Sequence, residues 1–202
     1  MQVSECIGCT AFPCKDVVHE CYLIPDIDVV PERISLIMIS EAAPASSSDY
    51  FYAGTDSIFE HTTVQAFNDA GVHVRSIQEV VDLGVYLTTA VKCGKTGYGI
   101  QTSTIKECAL ILERELALFP DVKVLMLMGD VAIKAFNSIG RRLEGAPVIP
   151  AVSTYKLRGG RFYFHGKRVF PSYLQAGPSF FIEKGKRKMI AEDISEALAL
   201  IR

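Results

Sequence analysis

Residues 84–91, GVYLTTAV, are an uncharged run rich in β-branched side chains. Such a run is typical of a strand that is buried on both faces of a parallel sheet. Residues 34–40, ISLIMIS, have the same character, and residues 122–129, VKVLMLMG, differ mainly by one lysine. The sequence therefore predicts three buried strands, each of which leads into a loop or helix start.

Helices are predicted between these strands. Apolar residues recur at helical spacing in residues 57–70, and Gly71 is placed to end that helix. Thr104 and Glu107 have the spacing of a capping box at the start of a second helix, and Asp130 is placed as the N-cap of a third. Strands that alternate with helices in this way predict the α/β class, with a mainly parallel sheet and helices on both faces.

The chain is predicted to form one domain over residues 1–202, with residues 1–30 as an N-terminal segment. Its 202 residues, 49% of them hydrophobic, suffice for a single core. After residue 150 the pattern predicts a hairpin and then an amphipathic helix at 186–201. Ligands of open α/β sheets bind beyond the carboxyl ends of the strands, so the expected site comprises three loops: 41–54, 92–102 and 129–131.

Charge and hydropathy limit the classes of partner. A net charge of −2 gives no global attraction to nucleic acid, so such binding must rest on the basic stretches 156–168 and 183–188. Either stretch is equally typical of a solvated hairpin face or helix start. No apolar stretch approaches the roughly 20 residues that span a bilayer, and the N-terminus has no apolar signal region. We expect a soluble cytoplasmic protein.

The six cysteines predict a metal centre rather than disulfide bonds, because no secretory signal is present. Cys6 and Cys9 form a CxxC motif, Cys93 follows a predicted strand, and Cys108 lies on the helix after it. Four thiolates suit either Zn²⁺ or a [4Fe–4S] cluster, and ligand count does not choose between them. Cys108 also fits the apolar stripe of its helix as a small hydrophobe. The roles of Cys14 and Cys21, as core residues or alternative ligands, stay open.

The loop 41–54 contains the candidate acid–base groups Glu41 and Asp49, and the aromatic residues 50–52 that could stack on a planar substrate or anchor the core. The Gly-Lys-Thr at 94–96 is not a phosphate-binding loop. A Walker motif needs glycine five residues before the Gly-Lys pair, and that position is Thr89.

The order of these features resembles the iron–sulfur family of the uracil-DNA glycosylase superfamily, often called family 4. The resemblance runs over nearly the whole chain and rests on the following segments in order: CIGC, ISEAAPASSSDYFYAG, YLTTAVKCG, ECALILERELALFP, VLMLMGDVAIKAF and HGKRVFPSYL. It implies a three-layer α/β/α sandwich around a central four-stranded, mainly parallel sheet. It also implies a structural [4Fe–4S] cluster on Cys6, Cys9, Cys93 and Cys108, and excision of a flipped base from DNA by hydrolysis of the N-glycosidic bond.

The resemblance also assigns roles to individual residues. Glu41 and Asp49 are the candidates for positioning or activating water. The residues expected at the base are Ala43, Phe51, Tyr52, Thr89 and Gln175. The residues expected at DNA are Lys184, Lys186, Arg187 and Lys188.

Three departures from the family motifs leave the substrate open. Ala42 occupies the usual acidic position of the first motif, with Glu41 one residue earlier, and Thr89 stands where the family has asparagine. The second motif, His-Pro-Ser, is replaced by FPS at 170–172, with Gln175 as the nearest polar candidate. Two alternatives follow: a catalytically silent iron–sulfur module that binds nucleic acid, or a glycosidase of free nucleosides or nucleotides. We expect a monomer.

Overall fold

The computed structural model describes residues 1–54, 56–97 and 99–202. Within these residues the chain forms a six-stranded sheet. Its strands in chain order are β1 (Val17–Val18), β2 (Leu36–Ala43), β3 (Val85–Lys95), β4 (Val124–Met128), β5 (Phe162–Phe164) and β6 (Lys167–Ser172). Their spatial order is β1-β3-β2-β4-β6-β5. The four central strands are parallel, which confirms the predicted sheet, and β1 and β5 add antiparallel edges.

Helices cover both faces of the sheet. Their bounds are α1 (Ile58–Asp69), α2 (Ile77–Asp82), α3 (Thr102–Leu116), α4 (Asp130–Glu144), α5 (Thr154–Leu157), α6 (Ser179–Ile182) and α7 (Lys184–Ala199). The apolar residues of α3 and α4 pack in one core cluster, and those of α1, α2 and α7 pack in a second cluster on the other face. This arrangement confirms the predicted α/β/α sandwich. No helix of the described residues is long and apolar enough to cross a membrane.

The predicted helix boundaries are only partly right. Gly71 follows α1 with a φ of +84°, as expected of a glycine that ends a helix. The two predicted N-caps are wrong. α3 begins at Thr102, and the hydroxyl of Thr104 donates to Asp16 in the N-terminal segment. Asp130 makes no side-chain cap and pairs with Lys134. Both side chains that local spacing predicted to cap a helix bind other side chains, Thr104 to Asp16 and Asp130 to Lys134.

Alternation along β2 decides which layer each side chain meets. Leu36 and Met38 face the layer of α1 and α7, whereas Ile39 faces the layer of α3 and α4. Continuing the alternation, Ser40 lies on the α1 side and Glu41 on the α4 side. Their hydrogen bonds to opposite sides of the sheet agree with this placement.

A fully buried ion pair joins β3 to α3. Lys92 and Glu115 have no exposed side-chain surface, and the Lys92 ammonium contacts the Glu115 carboxylate directly. The hydroxyls of Tyr86 and Thr88 each donate to Glu115 Oε1 at 2.8 Å, and Lys92 Nζ donates to Thr88 at 2.6 Å. Burial of two charges is costly unless their hydrogen bonds are satisfied. These hydroxyls satisfy them and fix the register of α3 on β3.

We expect the substitution Lys92→Met to destabilise the protein by about 3–5 kcal/mol, because it leaves the Glu115 carboxylate buried and unpaired. The free energy of unfolding in urea measures the effect. The matched control is Arg142→Met, which breaks the partly exposed Arg142–Glu113 pair and should cost at most about 1 kcal/mol. Equal costs for the two variants would contradict a central role for the buried pair.

Candidate active site and cysteine cavity

The three loops predicted to form the site meet around Glu41. Glu41 Oε2 lies 3.4 Å from Lys95 Nζ, and Glu41 Oε1 accepts a hydrogen bond of 3.4 Å from the backbone N–H of Val131. Each partner belongs to a different loop, 92–102 and 129–131. The expectation that these loops converge at the carboxyl ends of the strands is confirmed.

Gly129 makes room for the Glu41 carboxylate. Its φ of +101° favours glycine, and a Cβ at this position would lie 2.7 Å from both Cγ and Oε1 of Glu41. Because α4 begins at the next residue and has no side-chain cap, the carboxylate takes the place of one at the positive end of the helix dipole. Glu41 therefore has a structural function at α4 in addition to facing the site.

A cavity of about 540 Å³ opens beside this cluster. Its polar lining includes the carboxyl groups of Glu41 and Asp49 and the ammonium of Lys95, and its aromatic wall is Phe59. The turn 176–179 forms the opposite side. The cavity thus combines anionic groups, one cation and one aromatic ring at the edge of the sheet where ligands of this fold class bind.

The predicted stacking residues lie behind this wall. Phe51 is 1% exposed and packs on Phe59 with ring centroids 5.1 Å apart. The Tyr52 hydroxyl donates to the Leu87 carbonyl at 2.9 Å and accepts from the Leu87 N–H at 3.1 Å. Burial raises the pKa of Tyr52, so the phenol stays neutral. Phe51 therefore supports Phe59, and Phe59 is the aromatic residue that lines the cavity.

Sequence reasoning missed Phe59 and Lys95. Phe59 belongs to the apolar stripe of α1, and nothing in the pattern separates a core phenylalanine from one at a cavity wall. Lys95 lies in the Gly-Lys-Thr run that the Walker spacing excludes. The available signal was its place at the carboxyl end of β3, where side chains of parallel strands meet ligands.

Buried polar atoms without partners lie between the sheet and α1. Thr89 is the register partner of Ser40 on the neighbouring strand, and Ser40 Oγ donates to Gln175 Oε1 at 3.1 Å. Among the described residues, Thr89 Oγ1, Gln175 Nε2 and the Tyr50 hydroxyl are buried and have no hydrogen-bond partner. Thr63 on α1 is in the same condition. Such unpaired atoms are rare in folded proteins. This group of buried atoms, from Tyr50, Thr63, Thr89 and Gln175, is called the polar floor below and indicates a place for water or a polar ligand.

The predicted DNA-binding residues are differently placed. Lys184 and Lys188 are exposed at the start of α7. Lys186 pairs with Glu183, and the Arg187 guanidinium makes a bidentate ion pair with Asp69, with Nη2 2.8 Å from Oδ1. Arg187 therefore joins α7 to α1, and its guanidinium is already occupied. Contact of the exposed Lys184 and Lys188 with DNA stays a prediction.

A second cavity, of about 180 Å³, lies between the N-terminal segment and α3. It is lined by Cys9, Cys14, Cys93, Cys108 and His19. Three of the predicted ligands therefore meet there. The fourth, Cys6, is exposed, and its thiol is directed at the Gln2 carbonyl, 3.5 Å away.

The thiols fit a metal by chemistry, although they do not yet surround one closely. No three His, Cys, Asp or Glu side chains of the described part of the chain stand as a ready metal site. Burial, reinforced by Cys108 and the neighbouring thiols, raises the pKa of Cys93 to about 12. Burial likewise raises the pKa of Cys14 and of Cys108. Binding of a metal would displace the protons that these thiols hold at neutral pH.

The sequence model of the uracil DNA glycosylase superfamily matches residues 43–194, most of the chain. This chain belongs to the uracil DNA glycosylase superfamily. A type-5 uracil-DNA glycosylase from Thermus thermophilus is 31% identical over 118 residues, which are 58% of this chain and 51% of that relative. The chain thus spans about half the length of the curated relative it matches. The superfamily match includes Cys93 and Cys108 but begins after the N-terminal cysteines.

Adjacent threonines of β3 give a matched test of the polar floor. We expect Thr89→Val to leave the stability unchanged or to raise it by up to about 1 kcal/mol, because its hydroxyl is buried without a partner. Thr88→Val should destabilise the protein by about 1–3 kcal/mol, because it removes a partner of both Glu115 and Lys92. Urea unfolding of both variants checks this; equal losses would mean that Thr89 has a structural partner.

The Asp69–Arg187 pair predicts a pH dependence. The Arg187 guanidinium holds the pKa of Asp69 below its usual value of 3.8, so the carboxylate stabilises the fold above that pH and the contribution is lost as pH falls through the lowered pKa. Asp69→Asn should therefore cost up to about 1 kcal/mol at neutral pH, and the difference from wild type should close in acid. Urea unfolding between neutral pH and pH 3 measures it. The exposed Asp121→Asn is the control, and a difference that persists or grows in acid contradicts the pair's contribution.

Proposed function

We propose that this protein is a DNA glycosylase that hydrolyses the N-glycosidic bond of a deaminated base, with uracil as the first substrate to test. The observation that carries the proposal is the cavity at the carboxyl ends of the strands, which is lined by Glu41, Asp49 and Phe59. Membership of the uracil DNA glycosylase superfamily and the name of the Thermus relative support the reaction class.

The geometry supports binding of a base that is flipped out of the duplex. A planar base entering the cavity would meet Phe59, and the buried Gln175 lies in the chain between the lining residues Leu174 and Ala176. Stacking and edge-directed hydrogen bonds are the interactions by which enzymes hold a flipped base. Gln175 Nε2 and the Tyr50 hydroxyl are both hydrogen-bond donors, and burial raises the pKa of Tyr50, which keeps the phenol protonated.

These donors suit the leaving group. When the glycosidic bond breaks, its electron pair goes to the base, and a developing negative charge on the base oxygen is stabilised by preorganised donors. Positive charge develops on the sugar at the same time. Glu41 and Asp49 line the cavity where that sugar would lie, so their carboxylates would stabilise the positive charge that develops on it.

Asp49 is the better placed carboxylate for activating water. Glu41 is held by Lys95 and by the N-terminus of α4, whereas the Asp49 carboxylate accepts no hydrogen bond from a described residue. The backbone carbonyl of Asp49 accepts a hydrogen bond from Ser57 Oγ at 3.1 Å, which ties the loop to the start of α1. In the proposed reaction the water oxygen bonds to C1′ and its proton passes to Asp49, while Glu41 acts as a fixed negative charge.

The surface beside the cavity suits DNA. α6 follows the turn 176–179 and exposes Phe181 and Ile182, which are 45% and 78% exposed. Apolar side chains next to a flipping site can enter the base stack. The exposed Lys184 and Lys188 follow α6 in the chain and would approach the phosphates.

We also propose that the cysteine cavity holds a metal centre, a [4Fe–4S] cluster with Zn²⁺ as the alternative. The centre would cross-link the N-terminal segment to β3 and α3 and has no part in the excision chemistry. Measurement of the zinc, iron and acid-labile sulfide bound per chain of the purified protein tests this proposal directly.

We expect Asp49→Asn to lower single-turnover excision of uracil from a duplex oligonucleotide by about 10²-fold or more while leaving the dissociation constant for DNA within a few fold. The amide keeps the shape of the side chain and removes the proton acceptor. Asp121→Asn serves as the control and should retain wild-type rates. Asp121 is exposed and precedes β4, so it lies at the amino ends of the strands, away from the cavity.

Two results would overturn the proposal. Excision by Asp49→Asn at the wild-type rate would remove Asp49 from the reaction. Metal-loaded wild-type protein that binds DNA in a salt-dependent way but leaves uracil-, hypoxanthine- and xanthine-containing strands intact would favour the silent nucleic-acid-binding module. Release of base from free nucleosides or nucleotides, but not from DNA strands, would favour the glycosidase that acts on free nucleosides or nucleotides.

A further inference from the structure

We infer that Cys14, rather than Cys6, completes the thiolate set of the metal centre with Cys9, Cys93 and Cys108. The inference rests on the metal-binding part of the proposed function and is independent of the glycosylase reaction. It changes the N-terminal motif from a two-residue to a four-residue spacing, and it makes the CxxC pattern misleading in this chain.

Cys6 is directed away from the cavity by the helical turn that contains it. Cys6 ends the short 3₁₀ helix Val3–Glu5. Val3 in that helix and Ile7 after Cys6 are buried in the core at 0% and 7% exposure. Cys6 lies between them, is exposed, and its thiol donates to the carbonyl of Gln2. Bringing its thiol to the cavity would require Val3 or Ile7 to leave the core.

Cys14 is held at the cavity from the C-terminal side of its loop. Two residues later, the Asp16 carboxylate accepts from the Gln101 N–H at 2.6 Å and from the Thr104 hydroxyl at the start of α3. Thr104 and Cys108 are four residues apart on α3, so they share one face of the helix. Docking of Asp16 on Thr104 therefore places Cys14 beside the turn that carries Cys108.

His19 connects Cys14 to Cys93. Its Nε2 lies 2.7 Å from the Cys14 carbonyl oxygen, and its Nδ1 lies 3.4 Å from Cys93 Sγ. The carbonyl is only an acceptor, so Nε2 carries the proton and donates to it. Both ring nitrogens are engaged, which makes His19 a positioning residue outside the ligand set. The two cysteines lie on opposite sides of one imidazole ring.

The other side of the loop is fixed at Cys9. The Cys9 N–H donates to the Tyr22 hydroxyl at 2.8 Å, and the preceding Gly8 carbonyl accepts from Arg114 Nη2 at 3.2 Å. The segment between Cys9 and Cys14 is thus anchored at both ends against α3. Four residues between two cysteine ligands is a spacing that iron–sulfur proteins use.

Serine substitutions in the full chain test the assignment. Wild type, Cys14→Ser, Cys6→Ser and Cys21→Ser are reconstituted anaerobically with ferrous iron and sulfide, and iron and acid-labile sulfide are measured per chain. We expect Cys14→Ser to lose bound iron by about tenfold or more, while Cys6→Ser and the control Cys21→Ser keep the wild-type content. Cys21 is suitable as the control because it lies in the same segment and its thiol donates to the Ala45 carbonyl, 3.0 Å away.

A measurement on the wild-type chain covers the case in which Cys14→Ser does not fold. Iodoacetamide labelling is mapped by mass spectrometry in the loaded protein and again after the metal is chelated. We expect Cys6 to be labelled in both states and Cys14 only after chelation. Labelling of Cys14 as fast as Cys6 in the loaded protein overturns the assignment.

The outcomes separate the two proposals. Full iron content in Cys14→Ser, or loss of iron in Cys6→Ser, overturns the ligand assignment while leaving the metal centre in place. Wild-type protein that takes up neither iron and sulfide nor zinc overturns the metal centre and the assignment with it. Neither result bears on whether the protein excises a base.

Discussion

The buried ion pair between Lys92 and Glu115 is the constraint on which both parts of the site depend. It fixes α3 against β3, and these two elements carry Cys93 and Cys108 of the cysteine cavity. It also fixes the orientation of β3. A slip of one residue would turn Lys92 to the α1 side and move Thr89 from the polar floor to the opposite layer. One polar contact in an apolar core thus selects a single register for the strand that connects the two cavities.

Glu41, at the edge of the larger cavity, is a carboxylate with a structural function. Glu41 closes the N-terminus of α4 and pairs with Lys95, and Gly129 leaves space for it. These contacts hold its carboxylate at the cavity edge. Asp49, on the loop that follows, has fewer ties within the described residues. The contact with the N-terminus of α4 therefore distinguishes Glu41 from Asp49.

The sequence determines the architecture well because the strand signal is strong. The runs at 34–40 and 84–91 contain no charged residue. A long uncharged run that is rich in β-branched residues has few alternatives to a central strand. The edge strands β1 and β5 are two and three residues long, so they leave almost no pattern. The helix starts failed for another reason: Asp16 lies 88 positions from Thr104, and local spacing contains no information about such a partner.

The site was harder to predict than the fold for the same physical reason. The cavity forms where loops from distant parts of the chain meet, and exposure of Phe59 depends on all of them. Aromatic residues 50–52 have the composition of a stacking wall, but burial places Phe51 behind it. The CxxC motif predicts Cys6 as a metal ligand, whereas the direction of its thiol depends on which neighbouring residues enter the core.

The polar floor has a consequence for how such a protein can change over generations. Hydroxyl and amide groups kept buried without partners cost folding free energy in the absence of a ligand. A lineage under pressure for thermal stability would gain by replacing Thr89 with valine, whereas replacing Gln175 would leave the buried Ser40 hydroxyl without its acceptor. Stability and the accommodation of a polar ligand are therefore opposed at Thr89, where the hydroxyl lowers the stability of the empty protein.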